Sequence, residues 1–263
     1  MRPVFHNDPT PLPDSIANDD RDNVVRSNRP LSLQWVELRS TPKRSRAYPL
    51  VKDVADRAMG LVLFLIFLPV MAVAALLVRR TSNGPALYSQ IRVGRGYRTF
   101  WIYKLRTMYH NCEAGAGAKW CTRGDTRVTP LGRWLRRLHI DELPQLWNVM
   151  RGDMSLVGPR PERPEFVGPL EKMIPGYVRR LTVKPGVTGL AQIQRPADTD
   201  VESVRKKLVL DLCYIDRLGA SLDLRIMLGT VLYLAGASYA GVRQIMRLPG
   251  GPREVAMTDT VLE

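Results

Sequence analysis

The stretch AMGLVLFLIFLPVMAVAALLV, from Ala58 to Val78, is the longest uncharged run in this chain. Its 21 residues carry no charge, and a run of that length is sufficient for an α-helix to cross the hydrocarbon core of a bilayer. Pro69 lies near the middle, where a proline removes one helical hydrogen bond and bends the helix. We therefore expect a membrane helix that is bent at Pro69.

Basic residues flank this apolar run on both sides. Lys52 and Arg57 precede it, and Arg79 and Arg80 follow it. Because positive charge marks the cytosolic side of a membrane, both ends are expected to prefer the cytosol. A single transmembrane span is the alternative that length alone supports. We predict that residues 47–80 form a re-entrant, proline-broken helix that enters and leaves the membrane on the cytosolic face.

The overall composition narrows the class of protein. The chain has 263 residues, a formal net charge of +14 and 45% hydrophobic residues, which suits one domain with appendages. The positive charge implies an anionic partner: nucleic acid, a membrane surface or a phosphorylated substrate. No helix-turn-helix, zinc or RNA-binding signature is present, so we expect no nucleic-acid partner. Three cysteines do not form a disulfide framework, as expected in a reducing cytosol.

The rest of the chain divides by composition into three parts. Residues 1–46 are polar and lack hydrophobic periodicity, so we expect a disordered N-terminal segment. Residues 81–245 are predicted to form a domain on the cytosolic face, and residues 246–263 a flexible tail. A second apolar stretch, Ile226 to Val242, is interrupted by glycines and is expected to be a buried or interfacial helix.

Within the domain, local patterns predict an α+β fold that is mostly helical. Alternating residues from Leu87 to Val93, a glycine turn at 94–96 and a return over Thr99–Tyr103 indicate a β-hairpin. Residues 201–218 are predicted to be helical. Another helix is predicted from the apolar spacing i, i+3, i+4, i+7 of Leu131, Trp134, Leu135 and Leu138.

A pair of adjacent acids in HIDELPQLW, residues 139–147, is the candidate chemical site. Asp141 and Glu142 precede Pro144, which is favoured in the first turn of a helix, where the macrodipole favours negative charge. Arginines nearby are expected to keep at least one carboxylate ionised. Such a carboxylate can bind Mg²⁺ or attack phosphorus or carbon as a nucleophile. The alternative is a surface pair that only makes ion pairs with arginines.

Arginines around the acid pair suit phosphoryl chemistry, which requires positive groups around the developing charge. Arg136 and Arg137 lie just upstream of the acids. Arg160 lies between two prolines in GPRP, which restricts its backbone and favours a guanidinium aimed at a phosphate.

Long stretches of the sequence, from about Lys52 to about Leu232, resemble the bacterial sugar transferases. These monotopic phosphoglycosyl transferases start glycan assembly on a polyprenol carrier. The stretches that carry the resemblance are GPALYSQIRVG (84–94), YKLRTM (103–108), DTRVTPLGRWLRR (125–137), IDELPQLWNVMRGDMSLVGPRPE (140–162) and KPGVTGLAQI (184–193).

The resemblance implies a reaction and roles for named residues. A UDP-sugar donates its phosphosugar to polyprenol phosphate, and UMP is released. Asp141 is implied to be the nucleophile and the Mg²⁺ site, and Glu142 its companion acid. The residues implied to bind substrate phosphates are Lys104, Arg106, Arg136, Arg137 and Arg160.

The same resemblance implies a location and partners. The expected location is the bacterial inner membrane with the active site on the cytosolic face, where a soluble donor meets a lipid acceptor. Anionic lipid headgroups are expected partners, and the oligomeric state is open, a homodimer included. Two rival functions are a membrane anchor without chemistry and a glycosyltransferase that attacks sugar carbon and releases UDP.

Overall fold

A computed structural model describes residues 48–110, 112 and 124–250; the predicted disordered segment 1–46 lies outside the described residues. The helices are α1 (Tyr48–Thr81), α2 (Pro130–Arg137), α3 (Gln145–Arg151), α4 (Pro164–Met173), α5 (Val201–Asp216), α6 (Ala220–Leu234) and α7 (Tyr239–Ile245). The strands are β1 (Leu87–Val93), β2 (Thr99–Leu105), β3 (Ser155–Val157) and β4 (Gly186–Thr188). Short 3₁₀ segments cover Arg95–Tyr97, Ile140–Glu142 and Tyr177–Thr182. The fold is therefore α+β and mostly helical, as predicted.

Helix α1 contains the apolar run and continues through its proline. Its 34 residues run from Tyr48 to Thr81 with Pro69 inside. The sequence predicted a helix that is broken and bent at Pro69; the structure has no interruption there, and the bend stays a prediction. The physical reason is that Pro69 removes only its own N–H from the hydrogen-bond ladder, and the turns on both sides remain helical.

One face of α1 packs along the domain and the other is exposed. Its buried residues, spaced three, four or more positions apart on one face, are Asp56, Gly60, Met71, Ala74 and Val78. Gly60 allows close contact with α3, since a Cβ there would lie 3.0 Å from a methyl group of Val149. Only 17% of an 18-residue apolar stretch of α1 is buried inside the protein. Among the described residues, α1 is the helix long and apolar enough to cross a membrane.

Both ends of α1 are attached to the same domain. Near the N-terminal end, the Lys52 ammonium lies 2.7 Å from Oδ2 of Asp223 in α6. The other carboxylate oxygen of Asp223, Oδ1, accepts a hydrogen bond from the Tyr214 hydroxyl at 2.8 Å. Just beyond the C-terminal end, the Arg106 guanidinium donates to the backbone carbonyl of Ser82 at 2.7 Å. The domain therefore contacts α1 at both ends.

The predicted β-hairpin is confirmed. Strands β1 and β2 pair antiparallel with Ile91 opposite Trp101. In the turn, Gly96, at φ 64°, and Tyr97, at φ 62°, are both left-handed. Asn148 of α3 ties the hairpin to the domain, because its side chain accepts from Tyr103 N at 3.2 Å and donates to Trp101 O at 2.6 Å.

The C-terminal half differs from the sequence prediction in two places. The helix predicted over 201–218 is confirmed as α5. The stretch 226–242 is not one helix: α6 begins earlier and ends at Leu234, and Gly236, at φ 97°, precedes the separate helix α7. The tail does not begin at residue 246, because Leu248 is buried in the core. Residues 251–263 lie outside the described residues.

Candidate active site

The two acids lie in a short turn between helices α2 and α3. Helix α2 ends at Arg137, and His139 then adopts a left-handed conformation with φ 54°. Asp141 and Glu142 follow in the 3₁₀ turn. Pro144 precedes the first residue of α3, which confirms the helix start predicted at this proline. The acids therefore lie just before the N-terminus of α3.

Glu142 is clamped by two cations. Lys104, from β2, donates to its Oε1 at 2.7 Å, and Arg160, from the GPRP loop, donates to its Oε2 at 3.1 Å and also to its Oε1. Burial alone raises the pKa of Glu142, but the guanidinium of Arg160 and the ammonium of Lys104 hold it well below its usual value. Glu142 is therefore the acid that stays ionised, and both of its oxygens are engaged.

Asp141 is buried beside the same cations but is not engaged by them. Only 6% of its surface is exposed, and among the described residues it forms no hydrogen bond or ion pair. Burial raises the pKa of Asp141, and the negative charge of Glu142 raises it further, while Lys104, Arg136 and Arg160 oppose the rise. The structure thus divides the pair into one clamped carboxylate and one with free oxygens.

The predicted basic residues separate into two groups. Arg136 lies near the acids, where its Nε donates to Thr107 Oγ1 at 2.8 Å. Arg137 is exposed, with its guanidinium 6.0 Å from the centre of the Trp134 ring. Arg106 contacts Ser82 beyond the end of α1. The structure therefore brings together Lys104, Arg136 and Arg160 with Asp141, and their predicted substrate contacts stay predictions.

Two arginines near the site, the buried Arg180 and the half-buried Arg92, were not predicted. Arg180 donates to the backbone carbonyl of Arg160, 20 residues away, and Arg92 donates to that of Pro161, 69 residues away. No short motif indicates either contact, because each partner is distant in sequence. Asn148, which holds the strand that carries Lys104, was missed for the same reason.

Of the two acids, Asp141 is the one that could hold the predicted magnesium ion, with substrate supplying further ligands. Among residues 48–110, 112 and 124–250, no three His, Cys, Asp or Glu side chains form a metal-binding group. Mg²⁺ commonly takes one or two carboxylates together with substrate phosphates and water. Asp141 has the free carboxylate for such an ion, whereas the oxygens of Glu142 are already engaged. A site with Asp141 as its protein ligand therefore fits these residues.

Comparison with known proteins identifies relatives of the chain. A UDP-glucose:undecaprenyl-phosphate glucose-1-phosphate transferase of Caulobacter vibrioides is 45% identical over 203 residues, which are 76% of each chain. A UDP-N-acetylgalactosamine-undecaprenyl-phosphate N-acetylgalactosaminephosphotransferase of Aeromonas hydrophila is 41% identical over 187 residues. That match spans 71% of this chain but only 44% of the Aeromonas protein. The exopolysaccharide production protein PSS of Rhizobium leguminosarum is 36% identical over 69% of this chain and 94% of its own.

The family assignment rests on a match that covers most of the chain. Residues 47–236 match the family described as bacterial sugar transferase. The matched range contains α1, the hairpin, the acid pair and the GPRP loop. The chain belongs to the bacterial sugar transferase family.

Proposed function

We propose that this protein transfers a sugar 1-phosphate from a UDP-sugar to undecaprenyl phosphate or a similar polyprenol phosphate, releasing UMP. The observation that carries the proposal is the difference in contacts between the two acids. Asp141 has free oxygens, while Glu142 is clamped by Lys104 and Arg160. The names of the Caulobacter and Aeromonas relatives describe transfers of this kind.

In the first step, a carboxylate oxygen of Asp141 attacks the phosphorus that bears the sugar. A bond forms from Asp141 to phosphorus, and the bond from phosphorus to the bridging oxygen breaks, so that UMP leaves with that oxygen. Lys104, Arg136 and Arg160 supply positive charge where the phosphoryl group develops negative charge.

In the second step, a phosphate oxygen of the polyprenol attacks the same phosphorus. The bond from phosphorus to Asp141 breaks, which restores the carboxylate and forms polyprenol diphosphate sugar. Glu142 supports both steps by keeping Lys104 and Arg160 in place. We assign it no role as a proton donor, because a carboxylate with a strongly lowered pKa is poorly suited to donating a proton. Mg²⁺ held at Asp141 would add charge neutralisation of the diphosphate.

The nucleotide product tests the proposal. The purified protein is incubated with a panel of UDP-sugars, polyprenol phosphate and Mg²⁺, and the nucleotides are separated. We expect UMP in equal amount to the lipid-linked sugar, and removal of Mg²⁺ by EDTA should stop turnover until Mg²⁺ is restored. Release of UDP instead would indicate attack at sugar carbon. Absence of any nucleotide release would favour a membrane anchor without chemistry.

We also propose that α1 is re-entrant, at the cytosolic face of the bacterial inner membrane. Support comes from the contacts of Lys52 with Asp223 and of Arg106 with Ser82, because one domain could not touch both ends of a helix that crossed a bilayer. Further exposed apolar side chains that suit a lipid surface are Leu224, Leu228, Val231 and Leu234 on α6, and Trp134 on α2. The net charge of +14 favours anionic headgroups.

Cysteine labelling tests this arrangement. Leu50→Cys and Asn83→Cys place thiols at exposed positions on the two sides of the apolar run, in a variant whose native cysteines are replaced by serine. We expect that a membrane-impermeant maleimide applied outside intact spheroplasts labels neither position, and that it labels both after permeabilisation. Labelling of a single position from outside would mean that α1 spans the membrane.

A further inference from the structure

The GPRPE loop that carries Arg160 is held by its carbonyl groups. Pro159 and Pro161 have no N–H, so the loop has few donors of its own. Four consecutive carbonyls each accept a hydrogen bond from another part of the domain: Pro159 O from Gly186 N at 2.9 Å, Arg160 O from Arg180 Nη2 at 2.8 Å, Pro161 O from Arg92 Nη1 at 3.2 Å, and Glu162 O from Val93 N at 2.9 Å. Two of the four donors are therefore arginine side chains.

Arg180 is fixed by contacts in several directions. It is 7% exposed, and besides the Arg160 carbonyl it donates to the Tyr177 hydroxyl at 2.8 Å. Its Nη2 also lies 2.9 Å from a carboxylate oxygen of Asp211 in α5. Because a guanidinium is planar and offers its donors in a rigid fork, these contacts determine where the Arg160 carbonyl lies.

Arg92 holds the next carbonyl of the same loop, that of Pro161. Its Nη2 donates to Gln90 Oε1 at 2.8 Å, which orients Nη1 toward the Pro161 carbonyl. The Glu162 carboxylate lies between the two arginines, 4.0 Å from Arg92 and 3.7 Å from Arg180. Among the described residues, neither arginine forms a hydrogen bond or ion pair with Asp141 or Glu142.

We propose that Arg92 and Arg180 are positioning residues that act through Arg160. By holding the Arg160 and Pro161 carbonyls, which directly follow the Arg160 side chain along the loop, they aim its guanidinium at Glu142 and at the phosphate that the site receives. The inference rests on the proposed function and adds two residues to it. A displacement of about 1 Å in a positioned group can lower the rate by roughly 100-fold, so a more mobile loop should lower kcat.

A paired substitution tests Arg180 without leaving an unpaired buried charge. Arg180→Met combined with Asp211→Asn removes both members of the buried ion pair. We expect kcat for UMP release to fall roughly 10- to 100-fold while KM for the UDP-sugar changes little, since Arg160 is needed most in the transition state. The matched control is Arg179→Met, because Arg179 is exposed and pairs with Asp216 at 3.4 Å; its kcat should stay within about twofold.

A double-mutant cycle with Arg160→Met separates positioning from general damage. If Arg180 acts through Arg160, the paired substitution should cause no further loss once Arg160 is methionine, and Arg92→Met should behave in the same way. Independent, additive losses in the cycle, or wild-type kcat in the paired variant, would overturn the inference.

Amide hydrogen exchange over residues 155–163 measures the mobility of the loop independently of catalysis. We expect faster exchange in the paired variant than in Arg179→Met, and equal exchange in the two would count against positioning. If the wild-type protein releases no UMP while the loop still loosens as expected, the proposed function fails and the positioning role stands.

Discussion

Replacing Asp141 by asparagine is expected to abolish formation of a phosphosugar adduct and to lower turnover about 10³-fold or more. Asparagine has nearly the same shape, but its amide oxygen carries no full charge and is a poor nucleophile toward phosphorus. The fold should tolerate the change, because Asp141 is buried without a hydrogen bond among the described residues. Burial raises the pKa of this carboxyl, so removing its charge should leave the melting temperature equal or higher.

Intact-protein mass spectrometry measures the adduct directly. The protein is incubated with UDP-sugar and Mg²⁺ without acceptor, and the mass increase of one sugar phosphate is followed. The matched control is Asp153→Asn, since Asp153 lies just after α3 and its side chain forms an exposed-side ion pair of 3.4 Å with Arg151, away from the acid pair's clamp. The control should form the adduct normally. An adduct on the Asp141→Asn protein, or full turnover of the native protein with no adduct at any time, would contradict the nucleophile role.

Replacing Glu142 by glutamine is expected to reduce both turnover and stability. Loss of the carboxylate charge leaves Lys104 and Arg160 beside each other without their anion. The two cations should then repel each other and move from their positions in the site. We expect turnover to fall roughly 10²-fold. Unfolding free energy should fall by about 3 kcal/mol, the lower end for a broken buried pair, because the Arg160 side chain is 36% exposed.

Thermal unfolding in detergent and the rate of UMP release together distinguish the roles of the two acids. Asp141→Asn should lose activity at an unchanged or higher melting temperature, whereas Glu142→Gln should lose both. In the double variant Lys104→Met/Glu142→Gln, removal of one unpaired cation should recover part of the stability but none of the activity. A Glu142→Gln protein with wild-type melting temperature and turnover would show that the clamp is unimportant.

Elements with strong local patterns were predicted well from the sequence. The hairpin, the helix after Thr129 and the helix start near Pro144 follow from alternation, apolar spacing and proline, which act over only a few residues. The helix limits around residues 226–242 were wrong, because α6 ends at Leu234 before the left-handed Gly236, and an apolar stretch with several glycines does not show which glycine ends the helix. Pro69 does not end α1, since one missing donor is not enough to interrupt the helix, and the bend predicted there stays a prediction.

The candidate site was predicted less completely than the fold. The acid pair, Lys104 and Arg160 were marked by their motifs, and the structure brings them together. Arg137 was equally basic and equally close in sequence, yet it lies on the exposed side of α2. Nothing in the local pattern separates it from Arg136, because the side of a short helix that faces the site depends on where the rest of the domain lies.

The apolar helix, the hairpin, the acid pair and the family could be inferred from the sequence, because these depend on hydrophobicity, turn chemistry and residues adjacent along the chain. Three features emerged from the folded chain alone: which acid is clamped and which is free, the contact of both ends of α1 with one domain, and the hold of Arg92 and Arg180 on the Arg160 loop. The physical reason is that charge interactions and hydrogen bonds depend on distance in space. Residues 20 to 69 positions apart meet here through packing that no short stretch of sequence encodes.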